Sequence, residues 1–161
     1  MYEFAPDPHA PKGDVFRDLC LAAQALVEGE PDGVANMANV AALVWQFVPD
    51  LNWAGFYFRE GEGLVLGPFQ GKPACVRIGW DKGVCGSAAA GAKTVIVPDV
   101  RAFAGHIACD SASNSELVVP LIRDGRVIGV IDLDSPRLAR FDAQDAAGIE
   151  ALARAFVAAS T

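Results

Sequence analysis

Between residues 14 and 28, in "DVFRDLCLAAQALVE", Phe16, Leu19, Cys20, Ala23 and Leu26 recur at the spacing of one helical stripe. The pattern predicts an amphipathic helix with a polar outer face. A second helical stretch runs from 33 to 48. It stops ahead of Pro49, because proline disfavours helical geometry in the residue before it. The apolar period then shortens to two. "NWAGFYFRE" and "GLVLGPF" are aromatic and β-branched runs separated by "GEG", which predicts a hairpin. "ACVRIGW" and "TVIVPDV" are predicted as a third and a fourth strand. Between them "KGVCGSAAAGAK" opens with glycine and turns Ala-rich, as a short helix entered through a tight loop would.

Further on, "ELVVPLIRDGRVIGVIDLDS" joins two apolar runs through Asp124-Gly125, the strongest short hairpin signal. "FDAQDAAGIEALARAF" is a closing helix with Asp142 as its N-cap. Helices, an antiparallel meander with one inserted helix, and a final helix make an α+β fold. The expected architecture is a central antiparallel sheet with helices packed on its faces. Residues 1–12, rich in proline, read as a flexible lead-in to one domain over 13–161.

Composition narrows the function classes. A chain of 161 residues fits one domain able to bury roughly 70% of its unfolded surface. Apolar residues are 52% and charged residues 20%, so the chain is globular. No run approaches the ~20 apolar residues that span a bilayer, and the first residues lack a signal peptide's basic and apolar regions. A cytoplasmic protein without membrane contact is expected. The net charge is −7 with no long basic run, which argues against nucleic acid as a partner.

The cysteines Cys20, Cys75, Cys85 and Cys109 contain no CxxC pair, so a zinc ribbon is not expected. His106 and Cys109 have an HxxC spacing, a weak metal pattern. Cys20, on the apolar stripe, suits the part of a small buried hydrophobe. Cys85 is expected near a helix N-terminus, where the dipole lowers a thiol pKa. Cys75 falls inside a predicted strand, where local pattern favours a packing role.

Carboxylates give the chemistry more shape. Alternation in "VIGVIDLDS" sends Asp132 and Asp134 to the same face. A two-residue turn at 124–125 pairs residues whose numbers sum to roughly 249, setting Glu116 opposite Leu133 and beside both aspartates. Crowded acids of this kind hold protons that they can donate to a substrate oxygen. Cys109 is close enough in sequence to reach the same spot, and carboxylate neighbours would raise its pKa. That combination suits reduction of an oxidised group better than hydrolysis; "GHIACD" offers too little for a cysteine–histidine hydrolase. Trp53 and Tyr57 share a strand face, and such aromatics either fill a core or line a cavity for an apolar methyl thioether.

Taken together, "NWAGFYF", "LVLGPFQGKPACVRI", "GVCGSA", "GHIACDSASNSELVVPL" and "GVIDLDS" resemble the free methionine-(R)-sulfoxide reductases, single-domain enzymes of the GAF fold. The resemblance covers some three quarters of the chain. It implies reduction of free L-methionine-(R)-S-oxide to methionine, with thioredoxin as external reductant and no metal or organic cofactor. It implies Cys109 as nucleophile, Cys75 as leading disulfide partner and Cys85 as a second recycling cysteine. Glu116, Asp132 and Asp134 match the carboxylates that polarise the sulfoxide, and Trp53 and Tyr57 match the aromatics around its methyl group. The implied route passes from a sulfenic acid on Cys109 to a disulfide that thioredoxin reopens. A homodimer is consistent with the family. Ala104 and Trp80 depart from the family pattern, and Cys20 matches none of its motifs. His106 is expected to shape its loop and not to act as a base. The alternative is a GAF sensory module that binds a small molecule or reports redox state without turnover.

Overall fold

The change of period near residue 50 marks the passage from helices to sheet. A computed structural model describes residues 4–7, 9–107 and 110–159. Its elements are α1 (Lys12–Val27), α2 (Gly33–Phe47), β1 (Trp53–Glu60), β2 (Gly63–Gly71), β3 (Arg77–Gly79), α3 (Gly83–Gly91), β4 (Val95–Val97), β5 (Ser115–Arg123), β6 (Arg126–Ser135) and α4 (Ala143–Ala159). The six strands form one antiparallel sheet in the order β3-β2-β1-β6-β5-β4.

Strand alternation gives this sheet two apolar faces. Ala54, Phe56, Leu117, Val119, Ile131 and Leu133 point to one side and pack with residues of α1, α2 and α4, among them Phe16, Leu19, Val40, Ile149 and Leu152. Trp53, Tyr57, Val118 and Val130 point to the other, where α3 supplies Val84, Ala88 and Ala89. The predicted α+β architecture is therefore present, with three helices on one face and a single short helix on the other. None of the described helices is long and apolar enough to cross a membrane.

Local signals set most element ends. Asp32 caps α2 by accepting from the Ala35 N–H at 2.8 Å. Asp142 caps α4, accepting from the Gln144 and Asp145 N–H groups, and Asp145 reaches back to the Asp142 N–H. The α1 stripe is rotated from the expected one. Ala22 and Val27 are buried with Phe16, Leu19 and Ala23, whereas Cys20 and Leu26 are half-buried. This follows from α1 packing against both α2 and α4, which widens the buried arc toward residues 22 and 27.

At Gly148 α4 lies close against α1. A Cβ there would lie 2.2 Å from Cγ of Phe16, which is itself buried. Gly148→Ala is expected to cost about 1–3 kcal/mol through forced repacking. A fall in the urea midpoint at unchanged slope would verify it.

Two strand expectations need correction. The third strand is only Arg77–Gly79, so Cys75 lies in the irregular segment before it. Pro73 has no N–H to give a ladder, and regular pairing starts at Arg77 opposite Val65. The other correction concerns the β5–β6 hairpin. Asp124 and Gly125 both have positive φ, 49° and 73°, as the twist-matched two-residue turn requires. Arg123 pairs with Arg126 and Ile122 with Val127, in the expected register. Leu121 then pairs with Gly129, leaving Ile128 as an extra residue. Beyond this bulge Glu116 stands opposite Asp134, not Leu133. Side chains alternate with period two, so that one residue decides which face Glu116 occupies. Without the bulge it would share the face of Leu133; with it, Glu116 joins the two aspartates.

Candidate active site

Asp134, Asp132 and Val130 of β6 stand opposite Trp53, Gly55 and Tyr57 of β1, all on the face that carries α3. Gly55 opposite Asp132 leaves room for the neighbouring aromatics. A Cβ at Gly55 would meet Phe69 Cβ at 2.4 Å and the Trp53 ring at 2.8 Å. Trp53 accordingly stacks between Tyr57 and Phe69, with ring centroids 5.8 and 5.3 Å apart. The aromatics also hold the loop before β3. Trp53 Nε1–H donates to the Lys72 carbonyl at 3.1 Å and Tyr57 O–H to the Cys75 carbonyl at 3.0 Å.

These elements bound a narrow cleft with a cavity volume of about 40 Å³. Trp53, Tyr57, Cys85, Glu116, Asp132 and Asp134, expected from sequence, all line it. Cys75 is not among the lining residues but is tied to Tyr57 at its edge, half-buried and engaged in a disulfide. Cys20 and Cys85 are free thiols. Cys109 lies outside the described residues. Trp80 stands apart from the cleft, with the Arg59 guanidinium 4.5 Å above its ring.

Burial governs the protonation of this site. Glu116 and Asp132 are each 6% exposed. Desolvation pushes Asp132 up to about 7, against hydrogen bonds from Cys85 and Glu116 that favour its charged form. Glu116 and Asp134 are also held well above the usual carboxylate range, by burial first and by Asp132 next. At neutral pH the cluster therefore retains protons, and its protons leave as those of a coupled set.

Cys85 is the third residue of α3, as expected, yet its thiol is not activated. Burial, then Asp132 and Glu116, push its pKa well above the ordinary value. Its Sγ lies 3.2 Å from Asp132 Oδ2 and 3.9 Å from Glu116 Oε1, where the thiol proton serves the carboxylates. The helix-end effect is worth a fraction of what burial beside acids costs a thiolate. Cys85 is thus expected to resist a thiol reagent such as iodoacetamide in the folded protein and to react on unfolding. Time-resolved peptide mapping would show it.

Cys85, Glu116 and Asp132 bring ligand atoms within 4.8 Å of one another, the one such grouping among the described residues. With protons retained on all three, they are matched to one another by hydrogen bonding. His106 also reaches the cleft, its Nε2 3.7 Å from Glu116 Oε2. Burial lowers the imidazole pKa while it raises that of Glu116, so this contact joins two neutral groups at neutral pH and is not an ion pair.

Sequence reasoning passed over a polar group beside the carboxylates. Asn52 donates through Nδ2 to Ser113 Oγ at 3.0 Å and to Asp110 Oδ2 at 3.2 Å. Ser113 in turn hydrogen-bonds Asp134. Asp110 accepts from the Ala112 N–H at 2.9 Å, a side-chain turn that "CDSAS" could have signalled. The link to Asn52, 58 positions away, had no local signal.

Three comparisons bear on this geometry. A family model described as GAF domain matches residues 34–159. Protein YtsP of Bacillus subtilis is 56% identical over 83% of this chain and 85% of its own length. The free methionine-R-sulfoxide reductase of Escherichia coli is 48% identical over 88% of this chain and 86% of its own. Among solved structures, free methionine-R-sulfoxide reductase from Neisseria meningitidis, in complex with its substrate, superposes with a TM-score of 0.94 at 43% identity, covering 99% of this chain and 95% of that one.

Proposed function

The chain belongs to the free methionine-R-sulfoxide reductases, a family of GAF-domain proteins, and we propose that it reduces free L-methionine-(R)-S-oxide to L-methionine by cysteine thiol chemistry. The observation that carries the reading is the meeting of Glu116, Asp132 and Asp134, buried and proton-retaining, with the Trp53–Tyr57 wall in one cleft. A sulfoxide oxygen is a strong hydrogen-bond acceptor, and a protonated carboxyl aimed at it draws electron density from sulfur. The methyl group and thioether stem find apolar aromatic surface alongside.

In the proposed sequence the Cys109 thiolate attacks the sulfoxide sulfur while a carboxyl of the cluster delivers a proton to its oxygen. The hydroxyl then passes from the substrate sulfur to the Cys109 sulfur as the substrate's sulfur–oxygen bond and the transient sulfur–sulfur bond break, so that methionine departs as the thioether and Cys109 is left as a sulfenic acid. The Cys75 thiol then attacks that sulfur, water leaves, and a Cys75–Cys109 disulfide forms. Thioredoxin returns both to thiols by exchange, becoming oxidised itself. One sulfoxide and one reduced thioredoxin give methionine, water and thioredoxin disulfide. No metal or organic cofactor enters this scheme. The redox activity of Cys75 is supported by its disulfide and by its half-buried position at the cleft edge, where a partner's thiol can approach.

The test separates the two sulfoxide epimers. With thioredoxin, thioredoxin reductase and NADPH, the R epimer is expected to yield methionine and the S epimer none. Tight binding of either epimer without methionine formation would instead assign a sensory role.

A further inference from the structure

The acids of the cleft stand on regular strands, whereas residues 110–114, which follow Cys109 in sequence, are irregular. A step in which a thiol and an acid act on one sulfoxide needs the two held in fixed relation. Asn52 joins the two parts. It lies one position ahead of β1, and its N–H donates to the Asp134 carbonyl at 3.0 Å. Two residues back, the Asp50 carbonyl accepts from the Ser135 O–H at 2.6 Å. The Asn52 backbone is thereby fixed to β6. Its side chain reaches across to the irregular segment, Nδ2 donating to Asp110 Oδ2 at 3.2 Å and to Ser113 Oγ at 3.0 Å.

The direction of these bonds is set by chemistry. Asp110 is held below the usual carboxylate range by the Ala112 N–H, with Asn52 and Lys72 assisting, and Lys72 Nζ is 3.5 Å away. A carboxylate only accepts, so the amide nitrogen must face it. Ser113 Oγ accepts from that same nitrogen and gives its one O–H to Asp134. A directed chain therefore runs from Asn52 through Ser113 to an acid of the cleft. Asn52 Oδ1, meanwhile, is buried without a partner among the described residues. A buried unpaired acceptor lowers stability, so the amide is placed for what its nitrogen does.

We infer that Asn52 is a positioning residue for the reduction: it ties the segment after Cys109 to β6, holding Asp110 and, through Ser113, the Asp134 carboxyl in fixed relation. Asn52 is not among the residues lining the cleft, so it acts through these neighbours. The inference rests on the reductase reading and adds a residue behind the reacting groups.

Asn52→Ala is expected to lower kcat for the R epimer roughly 10- to 100-fold with KM changed less than about threefold, as misplacement of reacting groups by an ångström would give. Asn52→Asp keeps the volume but removes the donor, and should lose as much. The double variant Asn52→Ala with Ser113→Ala should lose less than the product of the single losses, because the two share one chain. The pH profile supplies a readout that a merely structural role would not move. Asp134 is faced by Asp132 on β6, Glu116 on β5 and Asp110 on the loop, and by Cys85 of α3 and Tyr57 of β1, whose protons it helps to retain. Ser113 favours the charged form of Asp134, against burial and the neighbouring acids. Loss of that hydrogen bond should move the falling limb of the pH–rate profile to higher pH in Ser113→Ala, and by less in Asn52→Ala. Asn36→Ala, which removes a buried amide of α2 outside the cleft, should lower the urea midpoint and leave kcat and the limb unchanged. An unaltered kcat in the Asn52 variants, or a limb unmoved in both Ser113→Ala and Asn52→Ala, would overturn the inference. Amide hydrogen exchange over residues 111–114 reads the tether without turnover, and should quicken in Asn52→Ala but not in Asn36→Ala. Quickened exchange in a protein that forms no methionine from either epimer would keep the tether and remove the reductase reading. Turnover by the native protein, with exchange unchanged in Asn52→Ala, would remove the tether alone.

Discussion

Cys109→Ser is expected to lower methionine formation by about three orders of magnitude or more. A serine hydroxyl is un-ionised near neutral pH and is a far weaker nucleophile toward sulfur than a thiolate, and removal of a nucleophile commonly costs this much or more. Cys75→Ser is expected to behave differently. Its first turnover should proceed at close to the native rate, because the attacking sulfur and the carboxyl cluster are untouched. Further turnover should then slow sharply, since the sulfenic acid on Cys109 has lost the thiol that converts it to a disulfide. Rapid mixing of prereduced enzyme with the R epimer, followed by quantification of methionine per site, separates the cases. The native protein gives a steady rate with thioredoxin, Cys75→Ser a burst of about one methionine followed by a slow phase, and Cys109→Ser no burst. Activity retained in Cys109→Ser would refute the nucleophile assignment. A full steady-state rate in Cys75→Ser would remove it from recycling and turn attention to Cys85.

Asp132→Asn should separate stability from catalysis. Burial holds the Asp132 carboxyl near 7, above its unfolded value of 3.8, so the folded protein keeps a proton that the unfolded chain gives up. Below the unfolded value both states are protonated and the site carries no electrostatic penalty. As pH rises from about 4 to 7 the unfolded state loses its proton first, and stability falls through that window by an amount on the order of 4 kcal/mol for this shift. An asparagine is neutral throughout and nearly the same shape. The variant is therefore expected to lose less stability than the native protein between pH 5 and 8, and to match or exceed it at pH 8. Denaturant titration across that range would reveal the difference; parallel pH profiles would contradict the buried-acid picture.

Activity should move the opposite way. The amide has no acidic proton to deliver, so kcat/KM for the R epimer is expected to fall by roughly 10²–10⁴-fold, the span of general acid catalysis. In the native enzyme the falling limb of the pH–rate profile should report the coupled carboxyl group, with its first loss near neutrality, and Asp132→Asn should displace that limb. This exchange of stability for catalysis is what a cluster of desolvated acids implies.

Much of the fold was legible one element at a time. The spacing of Phe16, Leu19 and Ala23, the proline after α2, the Asp124-Gly125 turn and the Asp142 cap are local signals, and each names an element directly. Alternation in "WAGFYF" and "VIDLD" was enough to put Trp53 with Tyr57 and Asp132 with Asp134, because period two is a property of any extended strand. The three cysteine motifs and the carboxylates likewise carry the family resemblance in the sequence alone.

What escaped the sequence are quantities that depend on the sum of non-local contacts. The face taken by Glu116 rests on the bulge at Ile128, and a bulge is chosen by how both strands pack against their neighbours. The state of Cys85 is not legible locally, because a helix N-terminus is visible in sequence while the depth of its burial beside Asp132 and Glu116 is not. The Asp110–Lys72 pair joins positions 38 apart, and Asn52 reaches Asp110 across 58. Local pattern by itself thus determined the elements, the faces of individual strands and the residue types available for chemistry. Only the tertiary structure decided their register, their solvation and hence their protonation, because desolvation is set by everything that surrounds a group and not by its place in the chain.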